Sequence, residues 1–598
     1  MTTNSSNIQE INSGTPPVTP LQILKTYFGY DSFREGQTEI IDTILSGRDA
    51  LAIMPTGAGK SLCYQVPALL LPGITLVVSP LISLMQDQVK SLNEAGIHAA
   101  YINSSLTEGQ INKALSFAAR GVYKIIYVAP ERLETASFLS FALHTPISMV
   151  TVDEAHCISQ WGQDFRPSYL KIIDFVEQLP GNPIISAFTA TATEVVKNDI
   201  ARILKLKNPN VVVTGFDREN LYYQVEHLTG KQKDIFIQNY IETHPNESGI
   251  IYCATRKNVD TLYEKLLKQG VSVTRYHAGM SNDIRKKSQD DFIYDRAQVV
   301  IATNAFGMGI DKSNVRFVIH YNMPQSMENY YQEAGRAGRD GEPAKCILLF
   351  SAQDVMISKL LLGSKDFEGM DFQEIDQVKR QDSRRLQLME GYCMTTSCLR
   401  NYILEYFGET TDTPCDNCGN CHQEFEELDM TQDAKWVIGC ITEMRGRYGQ
   451  ALVTGTLLGS KKARLKDIGA TSYNCYAKLE NRTEADLRLL ISQMIRMGYI
   501  IQTEGEYSVL KAGNIADLQN KNTKIIIKKF KEKEKISTTK KHKTPFKKDS
   551  FSASTESSST DFTATNSSHN SALFEALRQL RLQIAKEESV PPYIVFTD

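Results

Sequence analysis

One seven-residue stretch restricts the fold of this chain more than any other. Pro55-Thr56-Gly57-Ala58-Gly59-Lys60-Ser61 follows directly on the apolar run Ala50–Met54 and opens a helical pattern. Glycines let a backbone wrap closely around phosphate groups, and the N–H groups at the start of the following helix supply donors. Lys60 would neutralise β- and γ-phosphates, and Ser61 would ligate Mg2+. The arrangement requires a strand, a tight turn and a helix in that order, the unit of parallel α/β sheets. A plain glycine turn is the simpler alternative, but the Gly-Lys-Ser order at a helix start favours a nucleotide.

The rest of the N-terminal half agrees. Apolar runs Ala50–Met54, Thr75–Ser79, Lys124–Val128, Met149–Asp153 and Ile184–Thr189 alternate with amphipathic stretches such as Leu84–Ala95 and Glu108–Ala119. Runs this short and this rich in Val, Ile and Leu read as buried parallel strands. The pattern returns after Leu221, with runs Gly249–Cys253, Val271–Tyr276, Gln298–Ala302, Arg316–Tyr321 and Lys345–Phe350 between helical candidates Asn258–Gln269 and Asp283–Tyr294. Two α/β halves are therefore expected, over 21–215 and 216–355, after a polar N-terminus over 1–20 that is expected to be disordered.

Val150-Thr151-Val152-Asp153-Glu154-Ala155-His156 ends a strand in two acids, at the edge where such sheets present ligands. Asp153 suits Mg2+ coordination and Glu154 suits activation of a water. A solvated acidic loop is the alternative, weakened by the phosphate loop upstream.

Further on, Phe367–Tyr406 reads as helical and runs into Cys398, Cys415, Cys418 and Cys421. Cys-x2-Cys-x2-Cys brings three sulfurs together, and Cys398 can supply a fourth for zinc, with Cys393 and His422 as alternatives. Residues 429–520 look like a separate module: helices Thr431–Arg447 and Glu484–Met497, then a hairpin of Tyr499–Thr503 and Glu506–Leu510, an order that suggests a winged helix. The stretch 521–571 is lysine-rich, then rich in Ser, Thr and Asn, and reads as a linker. Leu573–Lys586 reads as an amphipathic helix.

Composition excludes little beyond a membrane protein. The 598 residues, 42% hydrophobic and 23% charged, include no run of about 18 apolar residues, and the N-terminus lacks an apolar signal core. A cytoplasmic protein is expected, nucleoid-associated if bacterial. The net charge of −3 means that any nucleic-acid surface is local.

The phosphate loop and Asp-Glu-Ala-His box resemble those of superfamily 2 helicases, as does Gln332-Glu333-Ala334-Gly335-Arg336-Ala337-Gly338-Arg339, which is similar to their arginine motif. Arg339 is then the better arginine-finger candidate, with Arg336 beside it. Ser186–Ala192 and Ile301–Asp311 resemble motifs that link hydrolysis to domain movement and nucleotide to nucleic acid, which brings in Thr303 and Asp311. More specifically, the chain resembles the RecQ family of DNA helicases from about Leu21 to Leu510, with a further match at Leu573–Asp598.

That resemblance implies a set of roles. Gln37 would read the adenine edge, with Tyr30 and Arg34 stacking on or supporting the base and Thr56, Gly57, Gly59, Lys60, Ser61 and Asp311 completing the ATP site. The segment after the acidic box, Cys157–Pro167, resembles the family's aromatic-rich loop; His156, Gln160, Trp161, Phe165 and Arg166 would touch DNA or couple it to hydrolysis. Flat aromatic faces suit base stacking, and a buried Trp–Phe anchor is the alternative. The implied architecture is two tandem RecA-like motor domains, a helical hairpin and zinc-binding subdomain over 356–428, a winged helix, and the start of an HRDC domain over 572–598. Arg445, Arg447, Lys461, Lys462 and Arg464 are candidate phosphate contacts.

The expected function is ATP-dependent DNA unwinding, 3′ to 5′ by resemblance, in repair and recombination, with ATP, Mg2+ and Zn2+ as cofactors. Single-stranded, forked or duplex DNA is the expected partner, and a single-strand-binding protein is a candidate one. An RNA helicase and a DNA-junction binder with a vestigial motor are the rival readings.

Overall fold

The structure is a computed structural model that describes residues 18–162, 164–307, 312–364, 372–411, 413–423, 425–461, 463–503, 509–515, 524–530, 567–588 and 591–595. Among the described residues, two parallel sheets carry the motor. The first comprises β1 (Ala50–Ile53), β2 (Ile74–Val78), β3 (Ala99–Ile102), β4 (Ile125–Val128), β5 (Ile147–Val152), β6 (Ile184–Thr189) and β7 (Asn210–Val213), ordered β3-β4-β2-β5-β6-β1-β7. The second comprises β8 (Leu221–His227), β9 (Ser248–Tyr252), β10 (Val273–Tyr276), β11 (Val299–Ala302), β12 (Val315–His320) and β13 (Ala344–Phe350), ordered β10-β11-β9-β12-β13-β8. Helices cover both faces, so β1, β2 and β4 are buried along their whole length. That burial is why they read as unbroken apolar runs.

The order of the first sheet places the chemistry. β5 and β1 flank β6, which pairs with both in parallel, Val152 opposite Ala187 and Ile53 opposite Thr189. The acidic box after β5, the phosphate loop after β1 and the Thr189–Thr191 turn after β6 therefore emerge side by side at the carboxyl edge.

The link between the motor domains is pinned from outside. Phe216 stacks on Phe407, ring centroids 4.4 Å apart and planes 10° from parallel, and Tyr331 donates its hydroxyl to the Phe216 carbonyl at 2.9 Å. Glu409 accepts the Phe216 N–H at 2.6 Å, and Arg400 donates to Asp217 at 2.6 Å and to the Leu221 carbonyl at 2.8 Å. Helices Phe372–Met394 and Leu399–Tyr406 lead into the cysteine cluster.

The winged-helix module contains helices Thr431–Glu443, Gln450–Leu457 and Glu484–Arg496 around a separate apolar core. Strands β14 (Phe425–Asp429), β15 (Ile500–Gln502), β16 (Leu510–Ala512) and β17 (Ile526–Phe530) complete it. β15 pairs with β16, and β14 pairs antiparallel with β17. The second pairing corrects the reading of 521–571 as linker over Ile526–Phe530. Lysines mask a strand in which Ile527 is 5% exposed, directly after Ile525 at 1%. The tip of the β15–β16 hairpin, with Glu504, Gly505 and Tyr507, lies outside the described residues, as does Asp311. The expected C-terminal helix spans Ser567–Glu588, and its Arg581 is 3.9 Å from Asp295 of the second motor domain. No helix among the described residues is long and apolar enough to cross a membrane.

The β14–β17 pairing yields a test. A chain ending after Gln519 loses two buried isoleucines, each worth about 1.5–3 kcal/mol. Its winged-helix module should melt at a clearly lower temperature than that of a chain ending after residue 536. Equal melting midpoints in calorimetry would contradict the pairing.

Candidate nucleotide, zinc and nucleic-acid sites

The phosphate loop turns on Gly57 and Gly59, with φ of +84° and +77°, a left-handed region that only glycine adopts freely. Its helix spans Lys60–Leu70, with Ser61 in the first turn. Lys60 Nζ folds back to donate to the carbonyls of Met54 (3.1 Å) and Pro55 (3.3 Å). Desolvation lowers its pKa, while the carboxylates of Glu154 and Asp153 work the other way.

Gln37 is buried over this loop. Its amide donates to the carbonyls of Ala58 (2.9 Å) and Gly59 (3.2 Å) and accepts the Arg34 N–H at 2.9 Å. The Arg34 guanidinium donates to the Gly57 carbonyl. Tyr30 is exposed. Gln37 and Arg34 therefore form one lip of the cradle.

Across from them, Asp153 is pushed up to about 7, first by burial and then by Glu154 beside it. Glu154 adopts φ of +49°, a strained conformation for a residue with a Cβ, and strain of this kind concentrates at working sites. It starts a tight turn, so that His156 Nδ1 comes to lie 3.3 Å from Glu154 Oε2 and 2.9 Å from Thr189 Oγ1. Burial lowers the His156 pKa, against the pull of the Glu154 carboxylate. Thr189 Oγ1 in turn accepts the Thr191 N–H at 3.2 Å, and Gln332 from the second domain donates to Thr191 Oγ1 at 3.2 Å. A continuous polar path thus runs from the acidic box across the cleft.

The arginine motif closes the other side. Thr56 Oγ1 donates to the Gly335 carbonyl at 3.2 Å, and a Cβ on Gly335 would fall 2.1 Å from Thr56 Oγ1. Arg339 lies over the loop, its Cγ 3.4 Å from where a Cβ on Gly57 would sit. Arg336 is buried within its own domain and donates to the Gly307 carbonyl. The two arginines, neighbours in the motif, thus diverge, and Arg339 is the one that faces the phosphate loop. Thr303 is buried nearby in that domain, its N–H donated to the Tyr276 carbonyl at 3.2 Å.

Arg218 is a residue that sequence reasoning missed. It donates to the carbonyls of Thr56 (2.8 Å), Gly335 (3.2 Å), Ala337 (3.0 Å) and Gly338 (2.9 Å), stitching linker, phosphate loop and arginine motif together. No pattern around it announces this, because all its partners are backbone atoms.

The aromatic-rich loop leaves the acidic box through the turn Ala155–Ile158. Ser159 bonds Asp199 at 2.8 Å and accepts the Trp161 N–H at 3.1 Å. Gly162 is obligatory, since a Cβ there would lie 2.1 Å from the His156 carbonyl oxygen. Trp161 is 41% exposed, Gln160 is exposed and Phe165 is half-buried, so the tryptophan is not a core anchor. Arg166 is committed to the protein, donating to the Pro80 carbonyl at 2.8 Å and to Asp164 at 2.9 and 3.1 Å.

The thiols of Cys398, Cys415, Cys418 and Cys421 all lie within 4.8 Å of one another. Separations of 4.0 Å (Cys398–Cys418, Cys415–Cys421) and 3.5 Å (Cys418–Cys421) match the edge of ~3.8 Å that tetrahedral Zn–S bonds of ~2.3 Å require. Backbone N–H groups of Leu399, Asn401, Cys415 and Asn417 point at the sulfurs, at 3.3–3.5 Å, as they do toward thiolates. Bonding from Cys418 and then from the N–H groups of Asn401 and Cys415 brings the Cys398 thiol down to about 4. Cys393 is buried elsewhere and His422 bonds the Asp416 carbonyl, so neither alternative ligand joins the group. On the winged helix, Arg445, Arg447 and Lys461 are exposed; the side chains of Lys462 and Arg464 lie outside the described residues.

Known proteins match this layout from end to end. A DEAD/DEAH box helicase family covers residues 34–198, a helicase conserved C-terminal domain 232–341, a RecQ zinc-binding domain 352–422, an RQC domain 424–536 and an HRDC domain 570–598. The ATP-dependent DNA helicase RecQ of Bacillus subtilis is 41% identical over 577 residues, 96% of this chain and 91% of its own. The chain belongs to the RecQ family of ATP-dependent DNA helicases. The Haemophilus influenzae RecQ is 38% identical over 97% of this chain and 89% of its own. The RecQ-like DNA helicase BLM of Xenopus laevis is 36% identical over 75% of this chain and 34% of its own. As a RecQ-family helicase the chain uses ATP, Mg2+ and Zn2+ and works on DNA.

The thiol cluster is open to direct test. Metal analysis of purified protein should find one zinc per chain, since a structural zinc contributes roughly 10–16 kcal/mol of folding free energy in small modules. Cys418→Ala should lose that zinc and become protease-sensitive around Leu399–His422. Full zinc occupancy in Cys418→Ala would refute the four-thiolate assignment.

Proposed function

We propose that the chain moves 3′ to 5′ along single-stranded DNA and separates the duplex ahead of it, with each ATP closing and reopening the cleft between the motor domains. The observation that carries this reading is the polar path Glu154–His156–Thr189–Thr191–Gln332, which ties the acidic box to the arginine-motif helix of the opposite domain.

In this reading Lys60 neutralises the β- and γ-phosphates, and Ser61 and Asp153 hold Mg2+, which screens phosphate charge when bound. Glu154 takes the proton of the attacking water. Arg339 meets the charge that develops on the transferred group, and Arg336 holds the Gly307 turn. Gln37, Arg34 and Tyr30 fix the adenine end, with Thr56, Gly57 and Gly59 around the phosphates and Asp311 on the far wall. Trp161 and Phe165 stack bases, Gln160 adds a polar contact, His156 relays the loop's position, Arg166 braces the loop and Thr303 lines the strand's path. The winged helix grips duplex DNA through Arg445, Arg447 and Lys461. Work in DNA repair and recombination, a nucleoid location and a single-strand-binding protein that coats the displaced strand fit a motor of this kind.

Nucleotide chemistry and DNA coupling separate by mutation. Lys60→Ala should abolish ATP turnover, and Arg339→Ala should keep nucleotide binding while slowing hydrolysis, by up to ~10^3–10^5-fold for a true finger. Wild-type turnover in Lys60→Ala would show that the cradle has been misread.

Trp161→Ala should lose DNA-stimulated ATPase while nucleotide affinity holds, because a stacked base is worth ~1–3 kcal/mol, enough to favour one loop conformation. ATPase rate against single-stranded DNA, carried to saturation, decides. Reaching the wild-type plateau at higher DNA concentration would make Trp161 a binding contact only.

A further inference from the structure

Arg385 belongs to none of the motifs above, yet it sits where three parts of the molecule meet. It lies on the helix Phe372–Met394, just ahead of the cysteine cluster. Its Nη2 donates to the backbone carbonyl of Trp161 and, at 3.0 Å, to that of Gly162. On the other side its Nε is 3.8 Å from Glu328 Oε1, and its Nη1 is 3.5 Å from Asp382. One guanidinium therefore holds the aromatic-rich loop of the first motor domain and a carboxylate of the second.

Glu328 gives this contact its reach. It occupies the first turn of the helix Met327–Ala334, which runs directly into Gly335, Arg336 and Arg339. That helix packs on the Arg385 helix through Tyr330 and Tyr392, ring centroids 5.0 Å apart with hydroxyls 3.3 Å apart. Glu328 is 6% exposed; its Oε1 also accepts the Tyr406 hydroxyl at 2.6 Å, while its Oε2 is buried without a hydrogen-bond partner. One turn before Arg385, the amide of Gln381 is buried with neither its nitrogen nor its oxygen bonded. Buried polar groups are almost always paired, so unsatisfied ones gathered at a three-way junction single it out from the ordinary core.

We propose that Arg385 is a positioning residue that couples the aromatic-rich loop to the arginine-motif helix. A base stacking on Trp161 moves the loop backbone, and the carbonyls of Trp161 and Gly162 carry the guanidinium with them. The displaced charge re-pairs Glu328 at the root of the helix that delivers Arg339 to the phosphate loop. This second route from DNA to nucleotide runs outside the cleft, apart from the Glu154–Gln332 path. It rests on the reading of Trp161 as a coupling residue.

The test is ATPase rate against single-stranded DNA, carried to saturation, for Arg385→Ala, Arg385→Lys and Glu328→Gln, with zinc content and melting temperature measured in each. Arg385→Ala should keep the unstimulated rate and zinc and lower the stimulated plateau roughly 3- to 30-fold, the range by which residues along such networks shift coupling. Arg385→Lys should recover part of the plateau, because it keeps the charge but not the fork that bridges both sides. Glu328→Gln, which preserves shape, should reproduce the loss. In Trp161→Ala/Arg385→Ala the two losses should not add, since both break one route.

A wild-type plateau in Arg385→Ala while Trp161→Ala loses its own overturns the role of Arg385 and leaves the Trp161 reading standing. Wild-type plateaus in both overturn both. A fall in unstimulated rate or melting temperature that matches the fall in plateau, in Arg385→Ala and Glu328→Gln alike, overturns coupling in favour of a structural clamp. Additive losses in the double variant overturn the shared route.

Discussion

Everything in this molecule leans on the seam between the phosphate loop and the arginine motif. Thr56 meets the Gly335 carbonyl, Arg218 gathers carbonyls from both sides, and Arg339 lies against Gly57. The seam depends on the absence of a side chain at Gly335, where a Cβ would collide with the hydroxyl of Thr56. A motor built on two rigid sheets can change shape only where they meet. A contact of a few hydrogen bonds, each worth only about 0.5–1.5 kcal/mol net, can be made and broken within one nucleotide cycle.

The surroundings keep that seam in register. Phe407 stacks on the linker residue Phe216, Arg400 holds Asp217, and Cys418 bridges to Tyr223 of β8. The zinc cluster is therefore more than a local staple, because the helix that it anchors reaches the linker between the motor domains. Loss of metal should propagate to the cleft, which gives a RecQ-family chain a physical reason to keep four thiols together.

Much of this was legible in sequence because the central strands are buried on both faces. β1, β2, β4, β5 and β6 each stand out as apolar runs. Within the two motor sheets, the strands that escaped notice, β3, β7 and β8, all lie at sheet edges, where burial is one-sided. β8 alternates buried Leu221, Tyr223 and Val225 with partly exposed Tyr222, Gln224 and Glu226, so no continuous run appears. β17 was hidden differently, by four lysines around three isoleucines. Among site residues, the phosphate loop, acidic box and cysteine cluster are local in sequence and could be read. Arg218 and Arg385 could not, since each bonds backbone carbonyls from segments more than a hundred residues away. Nor could spacing reveal that Arg336 and Arg339 part company, because Arg336 is drawn to a turn in its own domain.

In the proposed function the cleft and the aromatic-rich loop together convert ATP into directed movement on DNA. Strand displacement on matched duplexes, one with a 3′ single-stranded tail, one with a 5′ tail and one made of RNA, tests this most directly. Displacement that requires ATP and occurs on the 3′-tailed DNA alone is the predicted result. ATP-dependent displacement of the RNA duplex or of the 5′-tailed DNA at the same rate would contradict it.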